Sequence, residues 1–328
     1  MSDVKGIEIH DVLGLSDPAT KLIETVASAL GKWREPKRIV KMAKAKAEEI
    51  QIISEAIGNN LSLPTEYSDG KIAINAQDYE ELAKRAGNRL FYQEMRKQQN
   101  IETIVDLASD ELEKEESVSS EPVDPDWTMR FFNSVEDVSD EEMQKIWGRV
   151  LAGEVRQPKS FSMRTLEKLK NISQAEALLF KKLLSCCFFC KKIALLPKIN
   201  KLLFKHGFSL TDVLTLEDCG LIQASSGINL NVSPKNTQNA HIHNRNILGT
   251  ISFKSETKNK TVIPARRLTD SGSELLRITD VSFNDEYFID FLKEFKLSNK
   301  HINITAHKIL SFSDNNFTYS PEDKYPLD

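Results

Sequence analysis

Apolar residues recur at three-four spacing along most of the first half of the chain, the signature of helices that bury one face. Leu22, Ile23, Val26, Ala29 and Leu30 share a face after Asp17 or Ser16, either of which caps a helix with Pro18 at an early position. Gly31 and Pro36 interrupt the pattern, and PKRIVKMAKAKAEEIQIISEAIG carries it on to Gly58. After a turn-rich break at residues 61–70 it resumes from Asp78 to Leu112, with Tyr79, Leu82, Leu90, Met95, Ile101, Ile104 and Leu107. A third block places Met143, Ile146, Trp147, Val150 and Leu151 on one face, started by Ser139 as N-cap with Glu142 three residues on. Pro158 breaks the chain, and Ser162 starts the next helix.

Farther along, QAEALLFKKLLSCCFFCKKIALLP lacks a polar face, which predicts a helix buried on several sides and ended by Pro197. SLTDVLTLEDCGLIQAS predicts a short helix capped by Ser209 that leaves through Gly220 into a strand. ILGTISFK and KTVIPARRL alternate as two strands of a hairpin across SETKNK, and LTDSGSELLRIT returns to helix with Thr269 or Ser271 as cap. Two helices, a two-stranded wing and a closing helix outline a winged-helix-like module. NDEYFIDFLKEFKL then reads as an amphipathic helix and HINITAHKIL as a strand, a helix-strand cap. The fold expected is mainly α with a smaller α/β C-terminal part. Its divisions are N-terminal amphipathic helices at 1–60, a helical region with an acidic linker at 61–123, a central helical domain at 124–200, the winged-helix-like module at 201–280 and the cap at 281–328.

A chain of 328 residues accommodates more than one core, and 40% hydrophobic with 28% charged residues is an ordinary globular balance. The net charge of -4 calls for neither an acidic nor a basic partner, but its distribution is uneven. Lys32, Arg34, Lys37, Arg38, Lys41, Lys44 and Lys46 crowd one segment, while Asp106, Asp110, Glu111, Glu113, Glu115, Glu116 and Glu121 crowd another. The stretch from Glu111 to Asp126, with its serines and prolines, reads as a solvated linker. No run reaches the ~18 apolar residues of a membrane span. The start MSDVKGIEIHD lacks the regions of a signal peptide, so a cytoplasmic setting with reduced thiols is expected.

Four stretches carry a resemblance to a known family: GLSDPATKLIETVASALGKWREPKRIVKMAKAKAEE, DWTMRFFNSVEDVSDEEMQKIWGRVLAGEVRQPKSFSMRTLEKLKNIS, LTDVLTLEDCGLIQ and LTDSGSELLRI. Together they resemble the bacterial proteins grouped as domain of unknown function 2806. The resemblance implies no activity and supplies no catalytic position. SCCFFCKK departs from the plainer apolar or aromatic helix expected there, and NTQNAHIHNRN is particular to this chain.

The candidate chemistry is sparse. Cys186, Cys187 and Cys190 share a helical spacing that a metal site with Cys219 would use, but Phe188 and Phe189 between them favour core packing. His241 and His243 would point the same way in an extended segment and grip a transition metal, although their Asn and Gln neighbours favour a mobile loop. No Ser-His-Asp or Cys-His set and no glycine-rich phosphate loop can be assembled, so neither a catalytic residue, a metal nor a cofactor is expected. Trp33, Arg34, Lys37, Arg38 and Lys41 form a candidate interfacial or assembly helix, suited to self-association or to a peripheral membrane contact. Lys254, Lys258, Lys260, Arg266 and Arg267 on the wing are candidate contacts to nucleic acid or a protein partner, with Asp212, Glu217 and Asp218 on the preceding helix opposing a duplex. The leading expectation is a non-enzymatic protein that self-associates through its N-terminal helices and engages another protein through the wing. A nucleic-acid-binding regulator and a peripheral membrane protein are the alternatives, and a place in phage defence is an expectation about context that rests on no residue.

Overall fold

A computed structural model of the chain describes residues 15–30, 76–233, 239–254, 260–313 and 316–327. They fall into two units divided between Lys159 and Ser160. In the first unit, β1 (Leu15–Ser16) leads through Asp17 into α1 (Pro18–Leu30), and a long α2 (Ala76–Leu112) follows. After α2, β2 (Val118–Ser119) pairs antiparallel with β1, Leu15 facing Ser119. Helices α3 (Pro125–Val135) and α4 (Glu141–Arg156) complete the unit. Its core is aromatic: Phe131 stacks on Trp127 at 5.2 Å and meets Trp147 edge-on at 5.5 Å, with all three rings buried.

The acidic stretch after α2 is anchored rather than solvated throughout. Val118 and Val123 are buried, Lys21 Nζ donates to the carbonyls of Ser120 and Glu121, and Asp124 caps α3 through the Trp127 amide at 2.9 Å. Arg149 and Arg156 on α4 hold Glu111 and Glu115 at 3.1 and 2.8 Å. The sequence signal for a linker was charge, and here the charges are satisfied by a neighbouring helix. The cap of α4 is Asp140, whose carboxylate accepts from the Met143 amide at 2.9 Å, not the Ser139 expected.

The second unit corrects the fold class. It is organised by an eight-stranded sheet, antiparallel throughout, and is not a helical domain followed by a winged helix. Along the chain it contains α5 (Met163–Lys170), α6 (Gln174–Leu184), β3 (Phe188–Cys190), β4 (Ile193–Pro197), α7 (Asn200–Lys205), α8 (Leu210–Asp218), β5 (Ile222–Val232), β6 (Asn239–His243), β7 (Ile247–Phe253), β8 (Thr261–Leu268), α9 (Asp270–Ile278), α10 (Asp285–Ser298), β9 (Ile302–Ser313) and β10 (Asn316–Tyr325). Across the sheet the order is β10-β9-β7-β6-β3-β4-β8-β5.

Two local misreadings produced the error. The apolar run expected to be one helix leaves helix at Ser185, turns at Lys191 with φ 55°, and returns as the β3–β4 hairpin, Phe188 facing Leu195. A short apolar run is the same signal in a buried strand as in a buried helix, and these strands lie near the middle of the sheet. The expected wing also dissolves: β7 pairs with β6 and β9, whereas β8 pairs with β4 and β5, so the two strands are not hairpin partners. Caps expected at Ser162, Ser209 and Thr269 are all present, the Ser209 hydroxyl and Asp212 carboxylate forming a reciprocal pair.

Helix α10 covers one face of the sheet. Phe291 stacks on Phe188 at 5.2 Å, and a Cβ at Gly249 would lie 3.0 Å from Leu292, so the strand is kept bare where the helix presses on it.

Candidate functional site

The basic wing residues do not form one surface. Arg266 is 4% exposed; its Nη1 donates to the Pro197 carbonyl at 3.3 Å and its Nη2 to Asn200 Oδ1, while Nε has no partner among the described residues. Burial pushes its guanidinium pKa down. Arg267 points outward on the next residue and is held by Asp270 at 2.7 Å. Lys254 Nζ donates to the Lys300 carbonyl at 2.6 Å, and Lys260 is exposed. Lys258 lies outside the described residues, as do Trp33, Arg34, Lys37, Arg38 and Lys41.

Two of the four cysteines are core residues, and Cys190 and Cys219 are half-buried. Cys186 and Cys187 are buried in the turn between α6 and β3, and burial pushes the Cys186 thiol up to about 12. Burial likewise raises Cys187 and Cys190, and it raises Cys219 to about 11. Among the described residues no three His, Cys, Asp or Glu side chains are grouped to hold a metal ion. Tyr287, 1% exposed, has no hydroxyl partner among the described residues, and its pKa is driven upward by burial. Beside it, His206 stands edge-on at 5.1 Å and meets Asp290 at 2.8 Å, and Lys205 also reaches Asp290, at 2.6 Å. Burial works against the Asp290 carboxylate, but these two bonds more than offset it and hold its pKa below the usual value. The arrangement ties α7 to α10.

His241 and His243 sit on a strand, not in a loop, and they do share a face. That face is opposite α10. His243 is register partner of both Phe189 and Leu248, and Leu248 is partner of His307. The His243 ring stacks on Phe189 at 5.4 Å and contacts Phe312 at 5.0 Å and Phe317 at 6.0 Å; His241 meets Phe317 at 6.0 Å, and His307 meets Tyr319 at 5.3 Å. His243 is buried, and burial, aided by the nearby Arg245 charge, lowers its pKa to about 4. Its Nδ1 accepts from the Arg245 amide at 3.2 Å, so the neutral ring carries its proton on Nε2. Arg245, exposed and at φ 74°, lays its guanidinium 5.0 Å from the Phe189 ring and 5.5 Å from Phe283. Phe312 and Tyr319 stay 38% and 43% exposed. Sequence reasoning missed Phe312, Phe317 and Tyr319, which lie beyond the HINITAHKIL stretch read as a strand.

In the first unit the unexpected feature is the first half of α2. Its second half buries Asn100, Ile101, Ile104, Val105, Ala108 and Leu112. Five turns earlier, ~18 residues back on the same line of the helix, stand Leu82, Ala86, Gly87 and Leu90. Leu82 and Leu90 are 47% and 36% exposed, and a Cβ at Gly87 would have nothing within 4 Å among the described residues. Phe91, Tyr92 and Met95 beside them are exposed as well. No helix among the described residues is long and apolar enough to cross a membrane.

Compared with known proteins, residues 84–292, more than half of the chain, match the model of a family described as protein of unknown function, DUF2806. No curated protein and no solved structure matches the chain.

Proposed function

The chain belongs to the DUF2806 family of proteins of unknown function, a membership that brings no activity with it, and we propose that it acts as an interaction protein that self-associates through the first half of α2. The observation that carries this reading is Gly87. A glycine inside a helix costs about 1 kcal/mol relative to alanine, and such a cost is normally offset by a close approach of something to the bare backbone. Gly148 on α4 is of that kind: a Cβ there would lie 2.8 Å from Leu107 Cβ and 3.3 Å from the Ala108 amide nitrogen, so α2 and α4 meet through it. Gly87 has no such neighbour among the described residues, yet it stands in an apolar stripe between Leu82 and Leu90.

A second copy offers what is missing. Two identical stripes facing each other across a twofold axis would cover Leu82 and Leu90 of both chains at once, with Ala86 and Gly87 letting the backbones close in. A long helix whose first half stands exposed is also marginal by itself and is stabilised by packing. The reading needs no catalytic group, and it moves the assembling part from the helices expected at residues 1–60 to the next helical region.

Co-expression of two differently tagged copies tests it. The untagged or second-tag copy is retained by the first, and retention falls at least tenfold for Leu82→Glu combined with Leu90→Glu and for Gly87→Leu. Gly87→Ala, which raises helix propensity, should stabilise the fold yet not improve retention. Absence of retention in the unmutated protein, or retention indifferent to all of these changes, would sink the reading.

A further inference from the structure

We infer that the sheet face opposite α10 binds single-stranded nucleic acid, with bases stacking on Phe312, Phe317 and Tyr319 and the backbone passing Arg245. The inference stands on the second unit alone and does not depend on self-association.

Three observations on this face converge. The first is exposed aromatic area on a strand pair. Phe312 and Phe317 are register partners on β9 and β10, Tyr319 lies two residues along, and two of the three rings stay more than a third exposed. Strands that needed only to finish a sheet would carry polar residues at such positions. The second is a rigid base under the rings. His243 lies against both phenylalanines and is itself stacked on Phe189, all of it fixed by cross-strand pairing between β3, β6 and β7. A layer of this kind holds the outer rings in place, so that stacking a base against them orders little more than the ligand.

The third is cationic charge at the edge of the rings. Arg245 adopts the left-handed backbone region that most residues other than glycine avoid. The turn that holds it there is built for the purpose: Asn244 and Asn246 both donate to Asp285, at 2.8 and 3.0 Å, and Asn244 Oδ1 accepts from the Ile247 amide at 2.8 Å. The result is an exposed guanidinium 5.0 Å from the Phe189 ring and 5.5 Å from Phe283, beside the open rings. Lys324, register partner of His307, adds a second cation on the same face, and Lys191 stands exposed in the β3–β4 turn.

Planar rings with flanking cations match a ligand that alternates planar bases with phosphates, and every base offers a face to stack, so the fit is to single strands of mixed sequence. An apolar peptide would use the rings and leave Arg245 unused. A duplex keeps its bases stacked on one another and would present only phosphate. The wing cations are a poorer candidate, since Arg266 is buried and Arg267 is paired with Asp270.

The test is anisotropy of a fluorescent single-stranded oligonucleotide titrated with the full chain. Binding should weaken steeply as salt rises, and a duplex of the same sequence should bind less tightly. Phe312→Leu combined with Phe317→Leu keeps apolar volume and removes the rings; it should weaken binding at least tenfold with an unchanged melting temperature. Arg245→Gln should weaken binding and flatten its salt dependence, while Lys254→Ala with Arg267→Ala should leave it unchanged. The inference is overturned if the oligonucleotide does not bind, if the leucine variant binds as well as the original chain, or if affinity is lost through Lys254 and Arg267 instead. Competition by an apolar peptide with no oligonucleotide binding would assign the face to protein partners and would equally overturn it.

Discussion

His243 shows how much one side chain draws on its surroundings. In an unfolded chain its imidazole takes up a proton near pH 6.5; stacked on Phe189, against Phe312 and short of water, it does so only near pH 4. The folded state therefore binds fewer protons than the unfolded state between those values. Its contribution is fully present above pH 6.5 and is lost as pH falls toward 4, by roughly 3 kcal/mol in all. Denaturant titrations at several pH values should show this slope, and His243→Phe should flatten it. The cysteines give a second residue-level expectation. With the Cys186 thiol pushed up to about 12 and Cys187 buried beside it, both should resist iodoacetamide in the folded protein at pH 8 and react once it is unfolded, as mass spectrometry would record. The core role of these thiols was legible in the sequence from the phenylalanines between them. The strand beneath His241 and His243 was not, because Asn and Gln neighbours mark a loop in sequence, whereas Asn244 and Asn246 here form a turn held by Asp285.

At the scale of elements, the parts read correctly are those fixed by neighbours in sequence. Ser162, Ser209 and Thr269 cap helices because a hydroxyl reaches an amide three residues on, and α10 follows from the spacing of Tyr287, Phe288, Phe291, Leu292 and Phe295. The β3–β4 hairpin was misread because its apolar run is short and buried, and nothing local distinguishes such a strand from a helix. Contacts between elements were likewise hidden. Gly272 begins α9 against the Leu221 carbonyl, where a Cβ would fall 2.1 Å from the oxygen. Backbone must move to admit a methyl group, so Gly272→Ala should cost about 3 kcal/mol or more. Gly148→Ala, which meets a side chain at 2.8 Å, should cost about 1 to 3 kcal/mol. Chemical denaturation checks both, and a neutral result at Gly272 would mean that α9 can shift away from the sheet.

At the scale of the molecule, the sheet is assembled by pairings remote in sequence. Phe189 meets His243, and Leu195 meets Arg267; no periodicity within a strand names its partner. That is why strands at β7 and β8 were recognised and yet joined wrongly into a wing. The same limit hid the two surfaces on which the functional account rests. The apolar pattern along α2 is continuous in the sequence, and only the fold reveals that its cover among the described residues ends near Asn100. The most direct check of self-association is the light-scattering mass of the purified full chain over a range of concentrations. The account predicts twice the mass of one chain, falling to a single chain for Leu82→Glu with Leu90→Glu. A single-chain mass at every concentration would contradict it.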